Sequence, residues 1–456
     1  RYQSRLNRID RKDEYIVNDL FYESSTIYQD KMKKVRSLNS QPTNKEVFIW
    51  NFLGSLSNSF LSVITLMVVT RILDSSETDI FSIAWSISQL MATIGTFQVH
   101  TYQATDVKER FKFGQYFQFR VFTVFVMMIS SVGYVLVQGY TSYKSFAVLI
   151  ICLFRAVEAF ADVYEGYFQQ KERLDLCGKA NTYRIWITLI VFSLVGSLTH
   201  NLILCCLALL ISFTSCFIAL NLRYAHSVDI FDLKEAWDKK SKWWLDLSKE
   251  CMPIFVNSFL MMMITNAPKM KIDSGIASGT LANGTQTVYS ILFMPASVLT
   301  LVYIVFRPLL TKMAVEWTDG RIKEFLKIVG LIFGCLLIVS ILGILVCSFI
   351  GTPVLSILYG IDLSPYTLEL IVIVIGGCLC TFSYVFDNAL IVMRKQYLLL
   401  ISYVISWVIT ELFVGILVTN YGLLGAAFSY VVSMGCFLVV TFIIFLVNIH
   451  KKKSKC

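Results

Sequence analysis

The sequence has few of the residues on which soluble enzymes build a catalytic site. Only 4 of its 456 residues are histidine and only 16% are charged. Its 12 cysteines include no CxxC pair and no Cys/His cluster with metal-ligand spacing. Most of them lie inside apolar runs, where cysteine behaves as a small hydrophobe. We therefore predict no disulfide, no metal site and no cofactor.

Long polar regions are also scarce, because 56% of the residues are hydrophobic, above the 45–50% that is usual in soluble domains. A helix needs roughly 20 apolar residues to cross a bilayer. Twelve segments meet that length: 47–70, 80–99, 117–138, 145–169, 182–199, 202–221, 251–272, 284–311, 326–350, 364–390, 397–419 and 423–447. The sequence predicts an all-α polytopic membrane protein with twelve transmembrane helices.

The placement of lysine and arginine supports that number of spans. Of the 40 Lys and Arg residues, 33 fall before the first span, in alternate gaps or in the tail, whereas the other gaps hold four. Short basic loops stay in the cytoplasm, so both termini are predicted to be cytoplasmic. The formal charge of +9 then reflects topology and contact with anionic lipids rather than nucleic-acid binding.

The spans divide into two halves of six, 47–221 and 251–447, joined by 222–250. In the joining segment Leu233, Trp237, Trp244 and Leu247 share one helical face among lysines, which indicates an amphipathic helix along the cytoplasmic interface. The sequence Asn58-Ser59-Phe60-Leu61 recurs as Asn257-Ser258-Phe259-Leu260 in the first helix of the second half. That position is expected of a parallel repeat.

The two ends of the chain are polar. Residues 1–46 form a cytoplasmic segment without a cleavable signal peptide, and 448–456 form a basic tail. Met32 followed by Lys33 and Lys34 is typical of a natural lead into a first span. We therefore interpret residues 1–31 as a non-native extension.

Ionisable residues form a stripe in the fourth span, where Arg155, Glu158, Asp162 and Glu165 are spaced three, four and three apart. Each costs about 2.5–3.5 kcal/mol at the centre of a membrane on insertion scales, so such groups face a bundle interior or water. We predict that this face borders a cavity. The alternative is that Arg155 and Glu158 are a neutral pair between helices, with the two lower acids simply solvated near the cytoplasm.

Other spans contribute further polar residues. The first has a stripe that includes Asn51 and Asn58, although small polar residues also serve close helix packing. Prolines at 268, 295 and 308 are expected to interrupt or bend the seventh and eighth spans. The remaining candidates for the polar lining of a cavity are Gln89, Asn257, Asn266 and Asp387.

Three arginines, Arg120, Arg155 and Arg307, are the cations within spans, and Lys269 and Lys271 lie at the predicted outer mouth of the seventh. A guanidinium group binds phosphate through two parallel hydrogen bonds. A cavity lined with several cations suits an anionic substrate such as a pyrophosphate and would repel a cationic drug.

Several stretches resemble the bacterial polysaccharide flippases of the multidrug/oligosaccharidyl-lipid/polysaccharide exporter superfamily. They are IWNFLGSLSNSF with VVTRIL (49–60, 68–73), TYQATDVKERFKFGQY (101–116), RAVEAFADVYEGYFQQKERLDLCGKA (155–180), FMPASVLTLVYIVFRPLL (293–310) and YGLLGAAFSY (421–430). The likeness covers nearly everything from residue 44 onward. One departure is Asp74, where a glycine often closes the first helix.

The resemblance implies two six-helix bundles around a central cavity. It also implies translocation of a polyprenyl-pyrophosphate-linked oligosaccharide across the bacterial cytoplasmic membrane by alternating access. The cationic cavity of the family carries over to Arg155 and Arg307, and less directly to Arg120, Lys269 and Lys271. We expect arginines 155 and 307 to hold phosphate and Asn58, Gln89 and Asn257 to contact sugar.

For energy coupling, Glu158, Asp162 and Glu165 are candidates to bind H⁺ or Na⁺. We expect a monomer among membrane lipids that associates with a polysaccharide polymerase. Alternatives to a flippase are a multidrug extruder of the same fold, which would want an anionic pocket, and a membrane enzyme, which would want a large external loop. A purely structural scaffold would not need charged stripes within the membrane.

Overall fold

The structure, a computed structural model, describes residues 42–106, 109–228 and 243–453, and every regular element in those ranges is helical. The first eight helices are α1 (Asn44–Ile72), α2 (Ser75–Thr96), α3 (Val99–Gln103), α4 (Phe113–Gln138), α5 (Ser142–Gln170), α6 (Leu174–Thr199), α7 (Leu202–Cys216) and α8 (Arg223–Val228). The others are α9 (Trp243–Ala277), α10 (Thr285–Leu292), α11 (Met294–Val302), α12 (Arg307–Thr318), α13 (Ile322–Val346), α14 (Thr352–Tyr359), α15 (Thr367–Val392) and α16 (Leu399–Lys453).

Eight helices of the described residues are long and apolar enough to cross a membrane, which confirms an all-α polytopic membrane protein. Neither α2 nor α5 is among the eight, and the stretch covered by α10, α11 and α12 is too interrupted to qualify. In α5 the reason is the charged stripe that begins at Arg155. A cavity-lining helix can therefore lie at membrane depth without a continuous apolar sequence.

The last long helix, α16, is a hairpin of two helices. At Gly422 the backbone has φ 57° and ψ −129°, outside the helical region. A Cβ added to Gly425 would lie 1.9 Å from the carbonyl oxygen of Leu417. Eight residues of straight helix would separate those positions by about 12 Å, so the chain folds back at Gly422. The break falls between the predicted spans 397–419 and 423–447.

Prolines have different effects in the seventh and eighth predicted spans. The predicted span 284–311 is interrupted just before Pro295 and again by a 3₁₀ turn, Tyr303–Phe306, ahead of Pro308. In contrast, α9 runs through both Pro253 and Pro268 without a break. The prediction that Pro268 interrupts the seventh span was wrong, because a proline removes only one backbone hydrogen bond and its neighbours can hold the helix.

The helices pack as two groups, which we call the first bundle (α1–α8) and the second bundle (α9–α16). In the first bundle α1 packs on α6, and α2 packs on α4 and α5. In the second, α15 packs on α11, α13 and α16, and α9 packs on α16. Helix α9 also packs along α2 and so joins the bundles.

The joining segment was predicted to be amphipathic, but residues 229–242, with Leu233 and Trp237, lie outside the described residues. The described part of that face belongs to α9. There Leu247 is fully buried, and the Trp244 ring lies 5.4 Å from the Phe119 ring of the first bundle. Residues 1–41, on which the interpretation of 1–31 falls, and 454–456 are also outside the described residues.

Candidate functional site: a cavity at the face of the first bundle and a pocket between the bundles

Two adjoining spaces lie beside α2. The larger, which we call the first-bundle cavity, has a volume of about 330 Å³ and is formed by α1, α2, α5 and α6. The smaller, the interbundle pocket, has a volume of about 140 Å³ and also involves α9, α10 and α11. Both are lined by Ser62, Trp85 and Gln89, so one leads into the other.

Arg155 lines the first-bundle cavity but is already paired. Its Nη1 donates to Glu158 Oε2 at 2.5 Å, and its guanidinium lies 4.4 Å from the centre of the Trp85 ring. Only 8% of the residue is exposed. The pair adds no net charge to the cavity, while the indole and guanidinium form a flat wall.

Asp162 lines the same cavity and joins three elements. One carboxylate oxygen accepts from Arg120 Nη2 at 2.7 Å, and the other lies 2.6 Å from His100 Nδ1. Arg120 is fully buried in α4 and also donates to the carbonyl oxygen of Gly95. This arginine therefore holds α2, α4 and α5 together and is not among the residues that line either space.

Glu165, the last acid of the stripe, pairs with Arg184 of α6, which was not among the predicted site residues. Arg184 Nη2 donates to Glu165 at 2.6 Å and to Asn181 at 2.9 Å, and Nη1 donates to Asn221 at 2.7 Å. Both Asn181 and Arg184 line the first-bundle cavity. The signal for them was their spacing of three residues at the start of an apolar run, which puts them on one helical face.

Lys269 differs from these arginines because no acidic side chain in the described part of the chain pairs with it. Within the described residues its ammonium group makes no ion pair, and it lies 4.7 Å from the centre of the Phe293 ring. The residue is 9% exposed and lines the interbundle pocket. Around that pocket the hydroxyl groups of Ser82 and Ser290 are buried and have no hydrogen-bond partner in the described part of the chain.

The pocket is bounded at the end of the molecule where α1 ends and α10 begins, which we call the Ile72 end. Asp79 of α2 accepts hydrogen bonds there from Gly284 N at 2.6 Å and from Thr287 N at 2.8 Å. Lys144 donates to Asp273 at 2.5 Å. Arg71 donates to the carbonyl oxygen of Leu358 at 3.0 Å. All four hydrogen bonds join the first bundle to the second.

Other residues predicted for the site lie elsewhere. Asn51 and Lys271 are exposed. Asn266 is buried and donates to the Met262 carbonyl oxygen of its own helix, and Asn257 is half-buried. None of these four residues, and not Asp387 either, lines the first-bundle cavity or the interbundle pocket. Arg307 begins α12, but its side chain is outside the described residues.

Seven of the predicted site residues line the first-bundle cavity or the interbundle pocket: Asn58, Gln89, Arg155, Glu158, Asp162, Glu165 and Lys269. The described residues contain no group of three or more His, Cys, Asp or Glu side chains that could hold a metal ion. The arrangement offers stacking surfaces, amides, hydroxyls and one unpaired cation. Such groups are suited to binding a polar anionic molecule.

No family model matches the sequence. A capsular polysaccharide biosynthesis protein, CapF of Staphylococcus aureus, is 24% identical over 290 residues, 63% of this chain and 71% of that protein. An inward-facing multidrug-resistance MATE family transporter of the MOP superfamily aligns with a TM-score of 0.69 and 12% identity, covering 87% of this chain and 96% of that one. The lipid II flippase MurJ, in an inward closed conformation, aligns with a TM-score of 0.63 and 12% identity over 86% and 87% of the two chains.

These proteins are a transporter, a flippase and a capsular polysaccharide biosynthesis protein, and none of them is described as an enzyme, in agreement with the prediction for this chain. The similarity to the solved structures extends over most of both chains, so it concerns the whole fold. The chain has the fold of the MOP superfamily of membrane transporters, and its resemblance to the polysaccharide flippases of that superfamily is confirmed.

Proposed function

We propose that this chain is a flippase that moves a polyprenyl-pyrophosphate-linked oligosaccharide across the bacterial cytoplasmic membrane for the synthesis of a cell-surface polysaccharide. The observation that carries the proposal is the ammonium group of Lys269, which has no acidic partner among the described residues, in a pocket with the unbonded hydroxyl groups of Ser82 and Ser290. The name of the CapF relative supports the class of substrate.

The proposed topology has twelve crossings with both termini in the cytoplasm and six helices in each bundle. The candidate spans, the hairpin at Gly422 and the charged helix α5 support this arrangement. In that orientation the Ile72 end faces outward, and the first-bundle cavity extends from the middle of the membrane toward the cytoplasm. The described contacts at the Ile72 end then close the outer side, and a rocking of the bundles opens it.

The polar lining offers different partners to the two parts of the substrate head group. A phosphate taken from water into hydrocarbon loses several kcal/mol or more of solvation, and Lys269 with nearby hydroxyls replaces part of that solvation. The first-bundle cavity has no excess charge, but it has the amides of Asn58, Gln89 and Asn181 and the Trp85 ring. These groups suit sugar hydroxyls and sugar faces, while the polyprenyl chain stays in lipid.

The paired state of the acids favours this function over export of cationic drugs. An extruder for cations needs an anionic group that is free to meet the substrate. Glu158, Asp162 and Glu165 line the cavity, but each has a cationic partner within 2.7 Å. Their role in H⁺ or Na⁺ coupling stays a prediction, as do phosphate binding by Arg155 and Arg307, a monomeric state and association with a polymerase.

The proposed activity can be tested in proteoliposomes with a fluorescent polyprenyl-pyrophosphate oligosaccharide and a reagent that modifies sugars only in the outer leaflet. The expected result is leaflet exchange that depends on the protein and is reduced by Asn58→Ala in the cavity. The matched control is Asn51→Ala in the same helix, whose side chain lines neither the cavity nor the pocket, and it should behave as the unmodified protein.

Two outcomes would contradict the proposal. The first is exchange no faster than in protein-free vesicles under conditions in which the protein remains folded. The second is export of a cationic dye that competes with the lipid-linked sugar, which would support the extruder instead.

A further inference from the structure

Asp387 in α15 is a buried carboxyl group that lines neither the first-bundle cavity nor the interbundle pocket. It is 8% exposed, and its Oδ1 is buried without a hydrogen-bond partner. Among the described residues Asp387 makes no ion pair. A buried carboxylate without a partner is strongly unfavourable, so some cation must neutralise it.

The other buried carboxyl groups provide a comparison within the same molecule. Six acidic residues are buried in the described part of the chain: Asp79, Asp106, Glu165, Asp175, Asp273 and Asp387. The first five accept hydrogen bonds or pair with a cation. Asp387 alone among these six is left without either.

The surroundings of Asp387 are neutral on every side that the structure describes. Its titratable neighbours are Tyr303, from the 3₁₀ turn before α12, Tyr403 of α16 and Cys380 of its own helix. Each of these three residues interacts electrostatically with the Asp387 carboxyl group. On the neighbouring side, Phe386 packs against Phe333, Phe442 and Phe445. No described lysine, arginine or histidine contacts the carboxyl group.

We propose that Asp387 is a proton-binding site in the second bundle. It is protonated in this arrangement of the bundles and gives its proton to water when their movement hydrates it. A proton fits better than a metal ion, because a single carboxyl group can hold a proton, whereas a metal ion needs several oxygen ligands. The coupling part of this inference rests on the proposed transport function.

The movement of the bundles then links proton release to translocation. The three cavity acids of the first bundle, Glu158, Asp162 and Glu165, have cationic partners in this arrangement and are ionised there. Asp387 changes from buried to hydrated only if the second bundle repacks. A pH gradient therefore drives the cycle through Asp387.

The proton can be detected without any substrate. The infrared spectrum of the purified protein at neutral pH should contain the C=O stretch of a protonated carboxylic acid, and Asp387→Asn should remove it. Glu324→Gln is the matched control, since it removes the same negative charge at an exposed position of the second bundle where the carboxylate pairs with Lys327, and it should leave that band in place. Absence of the band from the unmodified protein, or its persistence in the Asp387→Asn protein, overturns the proton site.

Transport provides the second measurement. An imposed pH gradient should accelerate leaflet exchange by the unmodified protein and by Glu324→Gln, and it should have no effect on the Asp387→Asn protein, which still exchanges slowly. An unchanged response of Asp387→Asn to the gradient overturns the coupling role. Failure of all three proteins to exchange the lipid would contradict the transport function and with it the coupling role, whereas the infrared band would still decide the proton site.

Discussion

Charged side chains in the spans of this protein have two different local environments. Arg120, Asp162 and their neighbours are paired inside the first bundle, where they neutralise each other and connect helices. Lys269 and Asp387 lack a partner of opposite charge among the described residues. Stability depends on the first kind, and we expect ligand and proton binding to depend on the second.

The Arg120–Asp162 pair should be important for stability. Arg120→Met leaves Asp162 with His100 only, and Asp162→Asn leaves a fully buried guanidinium without its counter-ion. Removing one partner of a buried pair typically costs about 3–5 kcal/mol. Each single variant should therefore melt well below the unmodified protein in detergent, and the double variant should lose less than the sum of the two.

The control for that measurement is the exposed Glu324–Lys327 pair, whose partners are 3.9 Å apart. Exposed pairs contribute about 0–1 kcal/mol, so Lys327→Met should leave the melting temperature almost unchanged. Strictly additive losses for Arg120→Met and Asp162→Asn would contradict a direct interaction between the two groups.

At the Ile72 end, the N-terminus of α10 in the second bundle is capped by a side chain of the first bundle. Gly284 and Thr287 are the N-cap and third residues of α10, and Asp79 of α2 accepts from the backbone N–H of both. Helix N-termini leave four N–H groups without partners within the helix. Asp79 therefore supplies from outside what a capping box normally supplies from within the helix.

Asp79→Ala should loosen α10 and the Ile72 end with it. Loss of a cap costs about 1 kcal/mol, so amide hydrogen exchange at 284–292 should become about five times faster. The control is Asp74→Ala, since Asp74 Oδ1 caps its own helix by accepting from Glu77 N at 2.8 Å. It should speed exchange near Glu77 and leave α10 unchanged. Equal exchange at 284–292 in the unmodified and Asp79→Ala proteins would show that the bundles do not depend on this contact.

The sequence predicted where most helices lie, but it did not predict reliably where a helix is interrupted. The apolar runs and their basic ends located α1, α13 and the two halves of α16 within a few residues. A proline in the sequence shows that one backbone hydrogen bond is lost, but it does not show whether the helix breaks there. The eighth predicted span is interrupted near Pro295, whereas α9 continues through Pro268. Whether neighbouring helices support the weakened turn is a property of packing, which a single sequence does not display.

At the scale of the whole molecule, the sequence identified the charged stripe of α5 but not the partners of its members. Arg184 lies in the predicted span 182–199 but was not predicted for the site, and its contact with Glu165 joins α6 to α5. Lys269 and Lys271 were treated alike, although two residues in a helix point about 200° apart. Only Lys269 lines the interbundle pocket.

The central claim is that one unpaired cation between the bundles binds the pyrophosphate of a lipid, and the affinity for a polyprenyl pyrophosphate tests it most directly. Native mass spectrometry would compare the unmodified protein with Lys269→Met, Lys269→Arg and the matched control Lys271→Met. Loss of a charge-assisted interaction of about 1.5–3 kcal/mol predicts roughly 10- to 100-fold weaker binding for Lys269→Met. Lys269→Arg and Lys271→Met should bind almost normally, and equal affinity of Lys269→Met and the unmodified protein would contradict the claim.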